Sequence, residues 1–140
     1  MANQNPIHLD EPAVETEFSI PKEYSKTMIS LTLGVELQED GWVYASAHAI
    51  YLDFQNLYPQ KTPEPTDLKL NHGSVLHNKS LSLISHISRM KPSGNGATPP
   101  KVKYTLSIKA GDKLINSFQK ESGTDNPSDF MSLIKFKIQT

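Results

Sequence analysis

The chain of 140 residues contains no cysteine. Disulfides, thiolate metal sites, iron–sulfur clusters and cysteine nucleophiles are therefore excluded, together with the small secreted scaffolds that depend on bridges. Arginine is nearly as scarce, since Arg89 is the single one among 14 basic residues. Specific nucleic-acid recognition leans on the guanidinium fork, so a basic complement made of lysine makes a nucleic-acid partner an unfavoured reading. No stretch approaches the roughly 18 uninterrupted apolar residues of a membrane-spanning helix, and no membrane span is expected. Also missing are internal repeats, a glycine-flanked serine elbow and a phosphate-cradling glycine loop that opens a helix. Met1-Ala2-Asn3-Gln4-Asn5-Pro6 has neither the basic start nor the apolar stretch of a secretory signal, which suggests a cytoplasmic protein. A leaderless or processed secreted protein would share these features.

What the chain does contain is strand periodicity. Ile29, Leu31, Leu33, Val35 and Leu37 alternate with Ser30, Thr32, Gly34 and Glu36, the period of a half-buried strand. Asp40-Gly41 follows, a dipeptide suited to a tight hairpin turn, and the run from Trp42 to Phe54 is expected to pair back on the first strand. A two-residue turn sets Leu37 opposite Tyr44 and Leu33 opposite His48, with Tyr44 and His48 facing the core. A one-residue slip would turn Val43, Ala45, Ala47, Ala49 and Tyr51 inward instead. Residues 42–57 also carry a helix-like stripe of Val43, Ala47, Ile50, Phe54 and Leu57, but the Trp, Val and Tyr at the start favour a strand.

Further strands are expected near Leu68 and Leu70, over Ser80 to Met90, from Val102 to Ala110, from Leu114 to Lys120 and from Phe130 to Ile138. Proline-rich and glycine-rich loops at 59–67, 92–100 and 122–129 separate them, and Asn126-Pro127 could cap one helical turn. The expected fold is all-β, an antiparallel β-sandwich of immunoglobulin-like or jelly-roll-like kind with at most one short helix. Residues 1–25, acidic and broken by Pro6, Pro12 and Pro21, read as an extended arm in which Phe18 and Ile20 could dock as an edge strand. Residues 26–140 then form a single sandwich domain.

Candidate chemistry is thin. Among five histidines, His72 and His77 lack the spacing of a helical metal site, although a turn at Gly73 could bring them together with Asp67 as a third ligand, while His48 and His86 read as structural. Asp53 is the one carboxylate inside an apolar run, so a His48–Asp53 pair is the first place to look for acid–base chemistry. Asp125, Asn126 and Asp129 make an oxygen-rich loop that fails the helix-loop-helix calcium pattern and reads as turn chemistry. Trp42, Tyr44 and Tyr58 are the rings available to stack on a carbohydrate-like ligand. No cofactor is expected.

Net charge is -1, but residues 1–70 carry 4 Lys against 11 acids, and residues 71–140 carry 10 basic residues against 4 acids. Either the two halves pack side by side, or the basic half forms an anion-binding surface of Lys101, Lys103, Lys109, Lys135 and Lys137 that would hold a polyanion weakly. The overall expectation is a non-catalytic binding or assembly module for a protein partner or carbohydrate-like ligand. Self-association is expected near Met131 and Leu133, which break the lysine row of the last strand. A small enzyme built on a His–carboxylate pair is the alternative.

Overall fold

The computed structural model describes residues 7–8, 15–61, 64–91, 98–121 and 128–139. Among the described residues ten strands form two packed five-stranded sheets, the sandwich that the alternating sequence calls for. The strands are β1 (Ile7–His8), β2 (Glu15–Ile20), β3 (Met28–Leu37), β4 (Val43–Leu52), β5 (Gln55–Lys61), β6 (Leu68–His72), β7 (Ser80–Met90), β8 (Val102–Ala110), β9 (Lys113–Glu121) and β10 (Ser128–Ile138). A single α-helical turn, α1 (Gly73–Leu76), and a 3-10 turn at Lys22–Tyr24 complete the described elements. Sheet A has the order β1-β9-β8-β3-β6 and sheet B the order β2-β10-β7-β4-β5. Most pairs are antiparallel, while β1 on β9 and β2 on β10 are parallel.

Strands β7, β8 and β10 bury every second side chain, whereas β3 and β4 bury three in succession at Ile29–Leu31 and His48–Ile50. In β8, Val102, Tyr104, Leu106, Ile108 and Ala110 are buried, and in β10, Phe130, Ser132, Ile134 and Phe136 are. The run after Asp40-Gly41 is a strand, as its first residues favour, and it faces as expected, with Ser46, His48, Ile50 and Leu52 turned into the core. Its pairing corrects the hairpin expectation. β3 pairs with β8 from Ile29 to Leu37 and with β6 from Met28 to Leu31, and β4 lies along neither side of it. The Gly41 turn, at φ 84°, carries the chain across to sheet B, where β4 pairs with β7 and β5. Facing survives because burial sets it, whereas the neighbour depends on how the strands are shared between the sheets.

Residues 59–61, placed by their proline in a loop, end β5 at the margin of sheet B, where a missing N–H costs no ladder bond. A helical turn forms at Gly73–Leu76, and Asn126-Pro127 lies outside the described residues. Gly73 is required there: a Cβ would stand 2.4 Å from the Tyr24 carbonyl oxygen, against which α1 is docked by the Gly73 N–H to Thr27 O bond of 3.1 Å.

The packed unit reaches back into the acidic N-terminal segment. Phe18 and Ile20 of β2 are fully buried, and the Phe18 ring meets Phe118 and Phe136 edge to face at centroid distances of 5.5 and 5.9 Å. Phe18→Ala is expected to destabilise the fold by about 3–5 kcal/mol, the cost of emptying a packed aromatic site. Urea unfolding checks this, and a change under about 1 kcal/mol would mean that β2 contributes no packing.

Candidate functional site

Three successive inward positions of β4 are polar: Tyr44, Ser46 and His48. On a strand such residues line one face about 7 Å apart, and all three converge on one carboxylate, that of Glu64. The Tyr44 hydroxyl donates to Oε1, the Ser46 hydroxyl donates to Oε2 at 2.5 Å, and His48 Nε2 lies 3.2 Å from Oε2. Glu64 belongs to the crossover between the outermost strands β5 and β6, and its neighbour Pro65 accepts the Leu33 N–H at 3.0 Å. Glu64 thus closes the open side of the sandwich between the two sheets.

On the other side of the imidazole, Nδ1 meets Ser85 Oγ at 2.7 Å, since Ser85 lies directly across the β4–β7 ladder from His48. Ser85 in turn meets the Tyr104 hydroxyl at 2.5 Å. Tyr104 comes from sheet A and stacks on Phe130 of sheet B at 4.5 Å, so the polar chain runs through the full thickness of the core.

Proton positions follow from the charges. Burial raises the Glu64 carboxyl, but the hydrogen bonds of Ser46, Tyr44 and His48 outweigh it and hold the group below its ordinary 4.5. Burial pulls His48 below its ordinary 6.5, against the opposing influence of Glu64. Burial, reinforced by Glu64, pushes the Tyr44 phenol up to about 12, and burial also raises Tyr104. At neutral pH Glu64 is ionised and His48 neutral. Nε2 then carries the hydrogen that meets the carboxylate, so Nδ1 must accept, Ser85 must donate to it, and Tyr104 must donate to Ser85. Every donor points one way along the chain, toward Glu64.

Serine, histidine and carboxylate in line follow the order of a hydrolytic relay. Here His48 and Ser85 are each 1% exposed, and the serine oxygen is enclosed between the imidazole and the Tyr104 phenol. A nucleophile must have a reacting carbon about 3 Å away, and this one opens to no substrate. The Glu64 side chain, 14% exposed, is the one member that reaches the surface, apart from the phenol of Tyr44. The arrangement orders a core and fastens a crossover.

Other residues expected from sequence are dispersed. Asp53 does not meet His48; it sits in the β4–β5 turn, accepts the Ser80 N–H at 2.8 Å and pairs with Lys79 at 3.6 Å. Trp42 and Tyr44 precede and begin β4, whereas Tyr58 lies opposite Ile50 on β5, so the three rings form no common platform. Lys101, Lys103 and Lys109 belong with sheet A, and Lys135 and Lys137 with sheet B, on opposite outer faces. They do not make one positive patch. Asp129 bonds His86 at 2.6 Å, while Asp125 and Asn126 lie outside the described residues. His72 is exposed, His77 accepts the Ile138 N–H at 3.0 Å, and no group of three metal-ligating side chains occurs among the described residues. Glu64 was missed by sequence reading. The available signal was a polar column on an inward-facing strand, which demands a buried partner.

The two outer faces differ in kind. Sheet A presents Thr32, Glu36, Lys103, Thr105, Ser107 and Gln119 to solvent. Sheet B presents Val43, Ile84, Met90 and Met131, all exposed, beside the small side chains of Ala45 and Ala47, and among them the exposed His86–Asp129 pair and Ser88. At one end of that face a cavity of about 540 Å³ is lined by Tyr51, Asp53, Phe54, Ser80, Ser82 and Leu133. Comparison with known proteins finds no matching family model, no similar curated protein and no similar solved structure.

The buried chain predicts acid sensitivity. Both His48 and Glu64 have folded pKa values below their unfolded ones, so the unfolded state takes up more protons as pH falls. Their contribution should be complete above pH 6.5, decline first as His48 titrates and decline further below pH 4.5 as Glu64 does. Glu64→Gln and His48→Ala should each cost about 1–3 kcal/mol at pH 7. In each variant the unfolding free energy should depend less steeply on pH between 4 and 7 (roughly the interval of these titrations) than in the wild type. An unchanged slope would show that the chain is not the source of the sensitivity.

Proposed function

We propose that the protein is a non-catalytic assembly module that associates with a second copy of itself through the outer face of sheet B. The observation that carries this reading is the contrast between the faces. A solvent-facing sheet ordinarily places polar residues outward, as sheet A does apart from Leu114, whereas the four exposed large apolar side chains on the outer face of sheet B mark a surface suited to being covered.

The size suits the role. The eleven residues of β7 at about 3.3 Å each and five strands about 4.8 Å apart span roughly 36 by 24 Å. That area is of the order of the ~800 Å² per partner that stable complexes bury. Ile84, Met131 and Ala47 share its centre with the exposed His86–Asp129 pair, and Glu17 and Lys135 lie at its margin toward β2. The sealed Ser85–His48–Glu64 chain gives the enzymatic alternative no competing support.

Sedimentation at micromolar concentration tests the reading. The expected mass is a multiple of 15.6 kDa, and Ile84→Lys and Met131→Lys, which place a charge at the centre of the face, should return the protein to a monomer with unchanged thermal stability. A monomeric wild type at tens of micromolar overturns it, as does an assembly indifferent to both substitutions.

A further inference from the structure

The assembly reading leaves open how two copies meet, and the outer face of sheet B carries a more specific answer. Its two ends are opposite in shape. At one end Val43 and Met90 stand side by side as a cross-strand pair, and Met90, 62% exposed, is the most protruding residue of β7. At the other end lies the cavity bounded by Tyr51, Phe54 and Leu133, with Ser80 and Ser82 of β7 in its lining. Between knob and socket the β4 column is the small, flat run Ala45 and Ala47, followed by Ala49, which its own chain already buries.

The socket wall shows a further oddity. Asp53 and Phe54 both have positive φ, 46° and 70°, in the short turn joining β4 to β5. Such a turn prefers Asn and Gly, and a bulky aromatic there is strained. The strain is held in place by two bonds to one residue, Asp53 N–H to Ser80 O at 2.9 Å and Ser80 N–H to Asp53 Oδ1 at 2.8 Å. It maintains a phenyl ring that is 100% exposed. A strained, clamped and wholly exposed apolar side chain at the mouth of a cavity is the signature of a contact residue rather than of packing within its own chain.

Knob and socket occupy the two ends of one strand, Met90 and Ser80, on one face. A two-fold axis crossing β7 at its middle, between Ile84 and His86, exchanges these ends. We infer that two copies pack antiparallel, face to face, with Met90 and Val43 of each seated in the Tyr51–Phe54–Leu133 cavity of the other. The same operation sets alanine column against alanine column, where the backbones can approach. Such a contact is isologous, each copy giving and receiving the same surface, so it closes at two copies. This inference rests on the assembly reading and adds to it the partner's orientation and the number of copies.

The absence of cysteine makes the orientation measurable with single engineered thiols. Met90→Cys and Ser80→Cys chains are prepared separately, mixed and treated with a bismaleimide linker spanning about 8–10 Å, the spacing of facing sheets. Expected is covalent dimer in the mixture, little from either chain alone, and no covalent trimer. Met90→Ser should weaken association at least tenfold in sedimentation while leaving the melting temperature unchanged. Efficient cross-linking of Met90→Cys to itself, or a sedimenting dimer with no cross-link in the mixture, overturns the antiparallel arrangement but leaves the assembly reading intact. A monomeric wild type overturns both.

Discussion

The Glu64 carboxylate is the point on which the two sheets and their crossover are fastened together. Its three ligands from β4 are successive inward residues of one strand, and the third, His48, continues through Ser85 to Tyr104 on the opposite sheet. A sandwich core ordinarily consists of hydrocarbon, and a polar column inside it is costly unless every donor and acceptor is matched. Here the matching is complete along the chain, and its direction is fixed by one ionised group at the margin. The crossover that supplies Glu64 is thereby bound to the core by charge-assisted bonds, although it carries only a short run of residues between β5 and β6.

That arrangement explains why a serine, a histidine and a carboxylate come together without an accessible centre. The relay is oriented and shielded, but the shielding extends to the serine itself. Its role is to specify one packing of the two sheets. A slip of β4 by one residue would put Tyr44, Ser46 and His48 outside and deprive Glu64 and Ser85 of their partners on β4. The polar chain and the apolar alternation therefore enforce the same register.

The charge asymmetry along the sequence is resolved in the same way. Glu36 faces Lys103 across β3 and β8, Glu17 faces Lys135 across β2 and β10, and Asp67 and Asp53 pair with Lys109 and Lys79. Acidic strands from the first half lie beside basic strands from the second, and the lysines that look like one patch in sequence are divided between opposite faces. The exposed large apolar side chains on the outer face of sheet B are Val43, Ile84, Met90 and Met131, and sheet A exposes Leu114.

The strand periodicity of β3, β7, β8 and β10, the inward facing of His48 and the sandwich class were legible in the sequence, because alternation reports burial and burial is a local property of each strand. Even β2 was visible in Phe18 and Ile20, although prolines and acids around it read as an arm. Pairing partners were not legible. The Asp40-Gly41 turn has the chemistry of a hairpin, yet in the tertiary structure β3 pairs with β8 and β6 while the chain after the turn joins the other sheet. Nor was Glu64 legible as the partner of His48, since sixteen positions of chain and a change of sheet separate them. Local chemistry decided which face each strand turns to the core, whereas the competition of ten strands for a limited number of sheet edges decided what each side chain meets there.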